Sequence, residues 1–295
     1  MTALPALSLL ESMRPKQWTK NLVLFGGLVF AQKLLEPPYL LKALAAFALF
    51  CLLSGAVYLL NDIMDVERDR LHPLKRLRPL ASGQLSPPLA GSACAVLMAT
   101  SLLLSWFLQP AFFFAALSYL LLQFFYTLWL KNVVILDVFC ISAGFVIRTV
   151  AGALVIGVAI SNWLIICAVL LALFLGLSKR RHELVVLENN AASHRSILAE
   201  YSPYLLDQMM AVVTASTVMS YCLYTMWPET VAKFGPHLPL TVPPVLFGIF
   251  RYLYLVHQKE GGGAPERVLL SDVPLLLSVL LWGLGVFLIV YLFHH

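Results

Sequence analysis

The run ALAAFALFCLLSGAVYLL, Ala43–Leu60, carries no charge. It is followed at once by NDIMDVERDRLHPLKRLRPLASG, Asn61–Gly83, which holds three aspartates, a glutamate and five basic residues. An apolar stretch of about 20 residues is what a helix needs to cross a bilayer. Asn61 therefore marks the end of a membrane helix, and the acids gather at its mouth.

The rest of the chain agrees. Of 295 residues 60% are hydrophobic and 12% charged, about half the charge of an ordinary soluble domain. Nine apolar segments can be counted: Lys20–Leu35, Pro38–Leu60, Pro88–Leu108, Ala111–Leu130, Val133–Val158, Ser161–Leu177, Asp207–Trp227, Leu240–Val256 and Leu269–Phe293. The first is short and leans on its flanks, so eight spans are the alternative. Proline and polar clusters punctuate them. No loop is long enough to fold alone, so residues 1–295 read as a single domain. The five cysteines fall in apolar runs without metal-ligand spacing and read as packing residues. At the start, MTALPALSLLESMRPKQWTK, apolar residues precede charges, the reverse of a signal peptide.

Nine spans with an inside N-terminus put Lys33, Lys42 and Lys233 outside and Arg148 within a span, with every other Lys and Arg inside. That is the positive-inside pattern. It predicts a multi-pass membrane protein, N-terminus cytoplasmic, C-terminus outside at His294 and His295. The cationic face would draw anionic lipid headgroups or anionic substrates; nucleic acid is not expected as a partner, and a homo-oligomer is left open.

On a continuous helix Asn61, Asp65 and Asp69 drift only about 80° and share a face, with Asp62 beside them. Such hard oxygen donors suit Mg²⁺, which keeps water and phosphate oxygens in its shell. The plainer reading is a wetted helix end whose acids pair with Arg68 and Arg70. Lys75, Arg76 and Arg78 can hold phosphate or merely anchor the loop. Carboxylates repel a diphosphate unless a metal joins them.

NDIMDVERDRLHPLKRLRPLASG resembles the first aspartate-rich signature of the UbiA superfamily of intramembrane prenyltransferases. The resemblance covers nearly the whole chain. It implies an all-α polytopic membrane protein with nine transmembrane helices around a central cavity opening to the cytoplasmic side. It also implies Mg²⁺ held by Asn61, Asp62, Asp65 and Asp69, the three aspartates being catalytic. Typical aromatic prenyltransferases of the superfamily carry a second DxxxD between the sixth and seventh spans. LGLSKRRHELVVLE, Leu175–Glu188, stands there instead, offering Lys179, Arg180, His182 and Glu183. RPKQWTKN (Arg14–Asn21), YTLWLKNVVILDVFCISAGFVIRTVAG (Tyr126–Gly152), SKRRHEL (Ser178–Leu184) and RYLY (Arg251–Tyr254) resemble one branch, the decaprenyl-phosphate phosphoribosyltransferases. That branch implies phosphoribosyl diphosphate as donor and a polyprenyl phosphate as acceptor.

The implied substrate-binding residues are Lys16, Gln17, Lys20, Asn61, Lys75, Arg76, Arg78, Tyr126, Lys131, Asp137, Arg148, Lys179, Arg180 and Glu183. Several have plainer readings. Arg14–Asn21 is a basic aromatic anchor as readily as a phosphate approach, and Tyr126 is as readily an interfacial anchor. Asp137 can cap a helix or pair with Lys131. Glu183 can pair with Arg180 or bind ribose hydroxyls. His182 reads as solvent-facing, and Asp207 as a helix N-terminal acid. Arg148, about three turns beyond Asp137, is a charge deep in a span and points to a cavity. Two other functions are kept open. One is an aromatic prenyltransferase with a prenyl diphosphate donor and a 4-hydroxybenzoate-type acceptor. The other is a transporter, whose site would lie nearer the midplane than these charges do.

Overall fold

A computed structural model describes residues 5–73, 75–187, 196–259, 262–263 and 265–292, all of them helical or in connecting turns. Arg195, Glu188 and the terminal His294 and His295 lie outside the described residues. Eight helices are long and apolar enough to cross a membrane. They are α1 (Pro37–Met64), α2 (Pro87–Leu108), α3 (Pro110–Leu128), α4 (Leu136–Ile156), α5 (Asn162–Leu187), α6 (Pro203–Met226), α7 (Val242–Gln258) and α8 (Val273–Tyr291). The chain is a multi-pass integral membrane protein. Large apolar side chains such as Leu103, Phe107, Phe114 and Leu281 stand exposed; lipid solvates them, while within each span the backbone N–H and C=O groups pair along the helix.

Sequence punctuation explains the boundaries. Proline opens α1, α2, α3 and α6, where its missing N–H is an orphan in any case. Ser202 and Asp272 cap α6 and α8, accepting from the backbone N–H of Leu205 (3.1 Å) and Leu275 (2.9 Å).

The expected first span is a different object. Instead of one helix over Lys20–Leu35, a 3₁₀ helix runs over Pro15–Leu24 and a six-residue α-helix over Phe25–Phe30. At about 1.5 Å per residue that α-helix is far too short to cross alone. Close packing accounts for the irregular path. A Cβ on Gly152 would overlap the Leu24 carbonyl, and one on Gly27 would lie 2.9 Å from the Ala153 backbone. Two glycines therefore let this segment lie directly against α4, as small residues do between membrane helices.

Two compact units emerge from the contacts: residues 1–128 with 147–159, and residues 129–146 with 160–295. The first is centred on Leu24, Phe50, Phe112, Tyr119 and Val155, with the Phe50 ring 5.6 Å from Phe112 and 5.4 Å from Tyr119. A smaller cluster of Met13, Ala56, Leu59, Leu80 and Leu85 lies under the acidic loop. The second is centred on Val138, Phe174, Leu177, Tyr201, Leu206 and Tyr252. The five cysteines are free thiols, three of them buried.

Candidate active site

The acidic segment is built by the end of α1. The helix breaks at Asp65 (φ −101°, ψ 7°) and resumes as a short helix over Val66–Leu71. Backbone bonds cross the break: Asp65 N–H donates to the Asn61 carbonyl (3.0 Å) and Asp69 N–H to the Asp65 carbonyl (2.8 Å). Asp62 and Asp69 are seven residues apart, close to two turns, and one side chain joins them. Arg78 Nη1 donates to Asp62 Oδ1 (3.1 Å) and to Asp69 Oδ2. Arg14 donates to the same Asp62 oxygen and lies 4.8 Å over the Tyr58 ring. The backbone of Arg14 is left-handed (φ 53°), an uncommon conformation for a residue with a side chain.

The expected face of Asn61, Asp65 and Asp69 is thus divided among separate partners. Asn61 Oδ1 accepts from the Thr127 hydroxyl (2.6 Å). Asp65 is the most accessible of the three aspartates, with 32% of its side chain exposed and Arg68 at 3.9 Å, against 2% and 4% for Asp62 and Asp69. Arg78 is committed to the acids. Lys75 and Arg76 are exposed on the following turn, and their side chains make no hydrogen bond or ion pair among the described residues. Among the described residues no three His, Cys, Asp or Glu side chains converge to hold a metal by themselves. The donors are nonetheless hard carboxylate oxygens with one accessible member, which fits an ion whose shell is completed by water and phosphate.

In the same unit Arg148 is buried, donates to the Tyr119 hydroxyl (2.8 Å) and lies 4.6 Å over that ring. Lys16 is exposed on the 3₁₀ helix, where Gln17 and Lys20 are half-buried. Trp18 Nε1 donates to the Met13 carbonyl (3.2 Å), and Asn21, fully buried, donates to Cys51 Sγ and Ser54 Oγ at 3.3 Å. Tyr126 is half-buried near the end of α3.

The second unit holds the basic set, and most of its charge is already answered. Arg180 is 1% exposed; its Nε donates to Asp137 Oδ2 (2.6 Å) and its Nη1 to Glu183 Oε2. Asp137, wholly buried, also accepts from the Tyr201 hydroxyl (2.8 Å). Asp207 sits within α6 and not at its cap, accepting from Arg181 Nε (2.6 Å) with His257 Nε2 at 3.1 Å. Lys179 is the accessible cation of the stretch, 42% exposed and 4.0 Å from Glu183. Lys131 is half-buried on the turn Leu130–Asn132. His182 is half-buried, since a Cβ on Gly263 would strike its ring. Arg14, Thr127, Tyr119 and Tyr201 went unselected at the level of sequence. Arg14 and Thr127 had a signal, their places in RPKQWTKN and in YTLWLKN (Tyr126–Asn132).

Residues 22–273 match the model of the UbiA prenyltransferase family. The chain belongs to that family and is one of its transferases. A decaprenyl-phosphate phosphoribosyltransferase of Corynebacterium glutamicum is 32% identical over 96% of this chain and 87% of its own length. Another, from Mycobacterium tuberculosis, is 33% identical over 92% and 90%. The fold matches a UbiA homologue of Archaeoglobus fulgidus solved with DMAPP and Mg²⁺, with a TM-score of 0.70 and 17% identity over 97% of this chain and 99% of that one.

Proposed function

We propose that this protein transfers a 5-phosphoribosyl group from phosphoribosyl diphosphate to a polyprenyl phosphate. An oxygen of the lipid phosphate attacks C1 of the donor, the bond from C1 to the diphosphate oxygen breaks, and diphosphate leaves. The observation that carries the reading is the likeness, along nearly their whole lengths, to two relatives that bear this activity in their names. A sequence with a single acidic motif and extra cations supports it, because the two substrates bring four phosphate groups and phosphate-rich ligands call for more cations than metals.

Asn61, Asp62, Asp65 and Asp69 face the diphosphate, with Asp65 the accessible carboxylate. A bound Mg²⁺ would neutralise and orient the departing diphosphate. Lys75, Arg76 and Lys179 bind phosphate oxygens as cations, Lys as a point charge and Arg as a fork. Arg78 and Arg180 act one step back, fixing carboxylates. Lys16, Gln17, Lys20 and Tyr126 line the approach of the lipid phosphate and Arg148 the cavity, while Lys131 is a further phosphate-binding cation. No general base is required, since a lipid phosphate is already an anion. The proposal includes one domain over residues 1–295, a bacterial inner-membrane location, a cytoplasmic N-terminus and an external C-terminus. It also includes a cavity opening to the cytoplasm and a count of nine crossings, with Lys20–Leu35 as the first.

The test is incubation of purified protein with Mg²⁺, labelled phosphoribosyl diphosphate and a polyprenyl phosphate. Labelled lipid that disappears with EDTA is expected. Absence of labelled lipid from protein that prenylates 4-hydroxybenzoate would overturn the reading in favour of aromatic prenyl transfer.

A further inference from the structure

Tyr201 lies just before α6, 5% exposed, and its hydroxyl is used twice. It accepts from the Ile135 backbone N–H (2.7 Å) and donates to Asp137 Oδ1 (2.8 Å). Asp137 Oδ2 accepts from Arg180 Nε, and Arg180 reaches on to Glu183 Oε2. One line of bonds therefore runs from the entry of α4, through Tyr201, to the polar end of α5. Burial pushes the Tyr201 phenol up to about 12, so it remains a neutral donor at physiological pH. Ile135 has a left-handed backbone (φ 70°), which a β-branched residue adopts only where its surroundings over-determine it. The bond to Tyr201 is one such constraint.

Asp137, Arg180 and Tyr201 are buried, but 26% of the Glu183 side chain is exposed. Glu183 is thus where the line reaches the surface. Its Oε2 is taken by Arg180, while Oε1 has Lys179 Nζ at 4.0 Å, beyond hydrogen-bond length. An ionised carboxylate only accepts; it suits neutral hydroxyls and repels phosphate. A hydroxyl acceptor with a cation one helical turn away matches a sugar carrying both hydroxyls and phosphate.

We infer that Tyr201 is a positioning residue for the sugar-phosphate donor: through Asp137 and Arg180 it holds the Glu183 carboxylate to accept hydrogen bonds from the ribosyl hydroxyls. The inference rests on the phosphoribosyl reading above and adds the group that recognises the sugar.

A double-mutant cycle on the full-length enzyme tests it, with KM measured separately for phosphoribosyl diphosphate and for polyprenyl phosphate. Tyr201→Phe is expected to raise the donor KM about tenfold, the effect of one well-placed hydrogen bond to a charged group, and to leave the lipid KM unchanged. Glu183→Gln should act the same way, and the double variant should be no worse than the poorer single one, because both act through one carboxylate. An equal rise in both KM values, or additive losses in the cycle, would overturn the inference. If Tyr201→Phe yields no folded protein, Arg180→Lys takes its place, keeping the charge near Asp137 but losing the fork to Glu183. A wild-type enzyme that makes no phosphoribosyl lipid brings down the parent reading. A wild type that makes it, with the donor KM unmoved in Tyr201→Phe, brings down the inference alone.

Discussion

Replacing Arg78 with glutamine removes the cation that joins Asp62 to Asp69. Both carboxylates are nearly inaccessible, whereas 29% of the Arg78 side chain is exposed. Two charge-assisted hydrogen bonds at about 1.5–3 kcal/mol each set an upper bound near 6 kcal/mol. Three things reduce it: Arg14 still serves Asp62, water reaches the vacated position, and glutamine returns one neutral bond. A net loss of about 2–3 kcal/mol remains, at the lower edge of what breaking a buried ion pair costs. At about 2–4 °C per kcal/mol for a chain of this size, Tm falls by about 5–10 °C. Thermal unfolding in detergent micelles, followed by tryptophan fluorescence, measures it. Adding Asp69→Asn to Arg78→Gln should recover part of the loss, because a neutral amide needs no counter-charge. Arg76→Gln is the control: its side chain is exposed without a partner among the described residues, so its stability should stay within about 0.5 kcal/mol of wild type. An unchanged Tm in Arg78→Gln would refute the bridging role.

Asp65→Asn should lower phosphoribosyl transfer by about 10²–10³-fold with little change in Tm; more than half of wild-type turnover would remove the metal assignment. Gly152→Ala should cost about 3 kcal/mol or more, read as lost Tm or yield, since the overlap is with the backbone of Leu24 and no rotamer relieves it. Gly91→Ala, in open space on α2, should be neutral or slightly stabilising. Asp272 is held below the usual carboxylate range, chiefly by its hydrogen bond from Arg251. Its contribution should be fully present above about pH 4 and be lost as pH falls through the lowered folded-state pKa. The stability gap between wild type and Asp272→Asn, measured against pH, should therefore close on the acid side; a gap that persists there would refute the pairing.

Composition and residue order alone settle the class of the molecule. Long uncharged runs have one stable solution in lipid, a helix with its backbone bonds closed internally, so eight of the nine segments read from composition are helices. The acidic mouth of α1 and the basic set on α5 are equally legible, because charge at the end of an apolar run is conspicuous in one dimension. What those charges do is settled by packing. Arg76 and Arg78 look alike in LKRLRPL, yet Arg78 closes on Asp62 and Asp69 while Arg76 stays exposed. Lys179 and Arg180 are neighbours in SKRRHEL, yet Lys179 remains accessible while Arg180, one residue further round the helix, meets Asp137. Successive residues on a helix point about 100° apart, so adjacent cations face different surroundings. Which partner each meets depends on residues far along the chain: Arg14 on Asp62, Thr127 on Asn61, Tyr201 on Asp137. The broken path of Pro15–Phe30 likewise follows from Gly152 and Ala153, distant in sequence and adjacent in space. Such pairings are set by packing geometry, which no local pattern encodes.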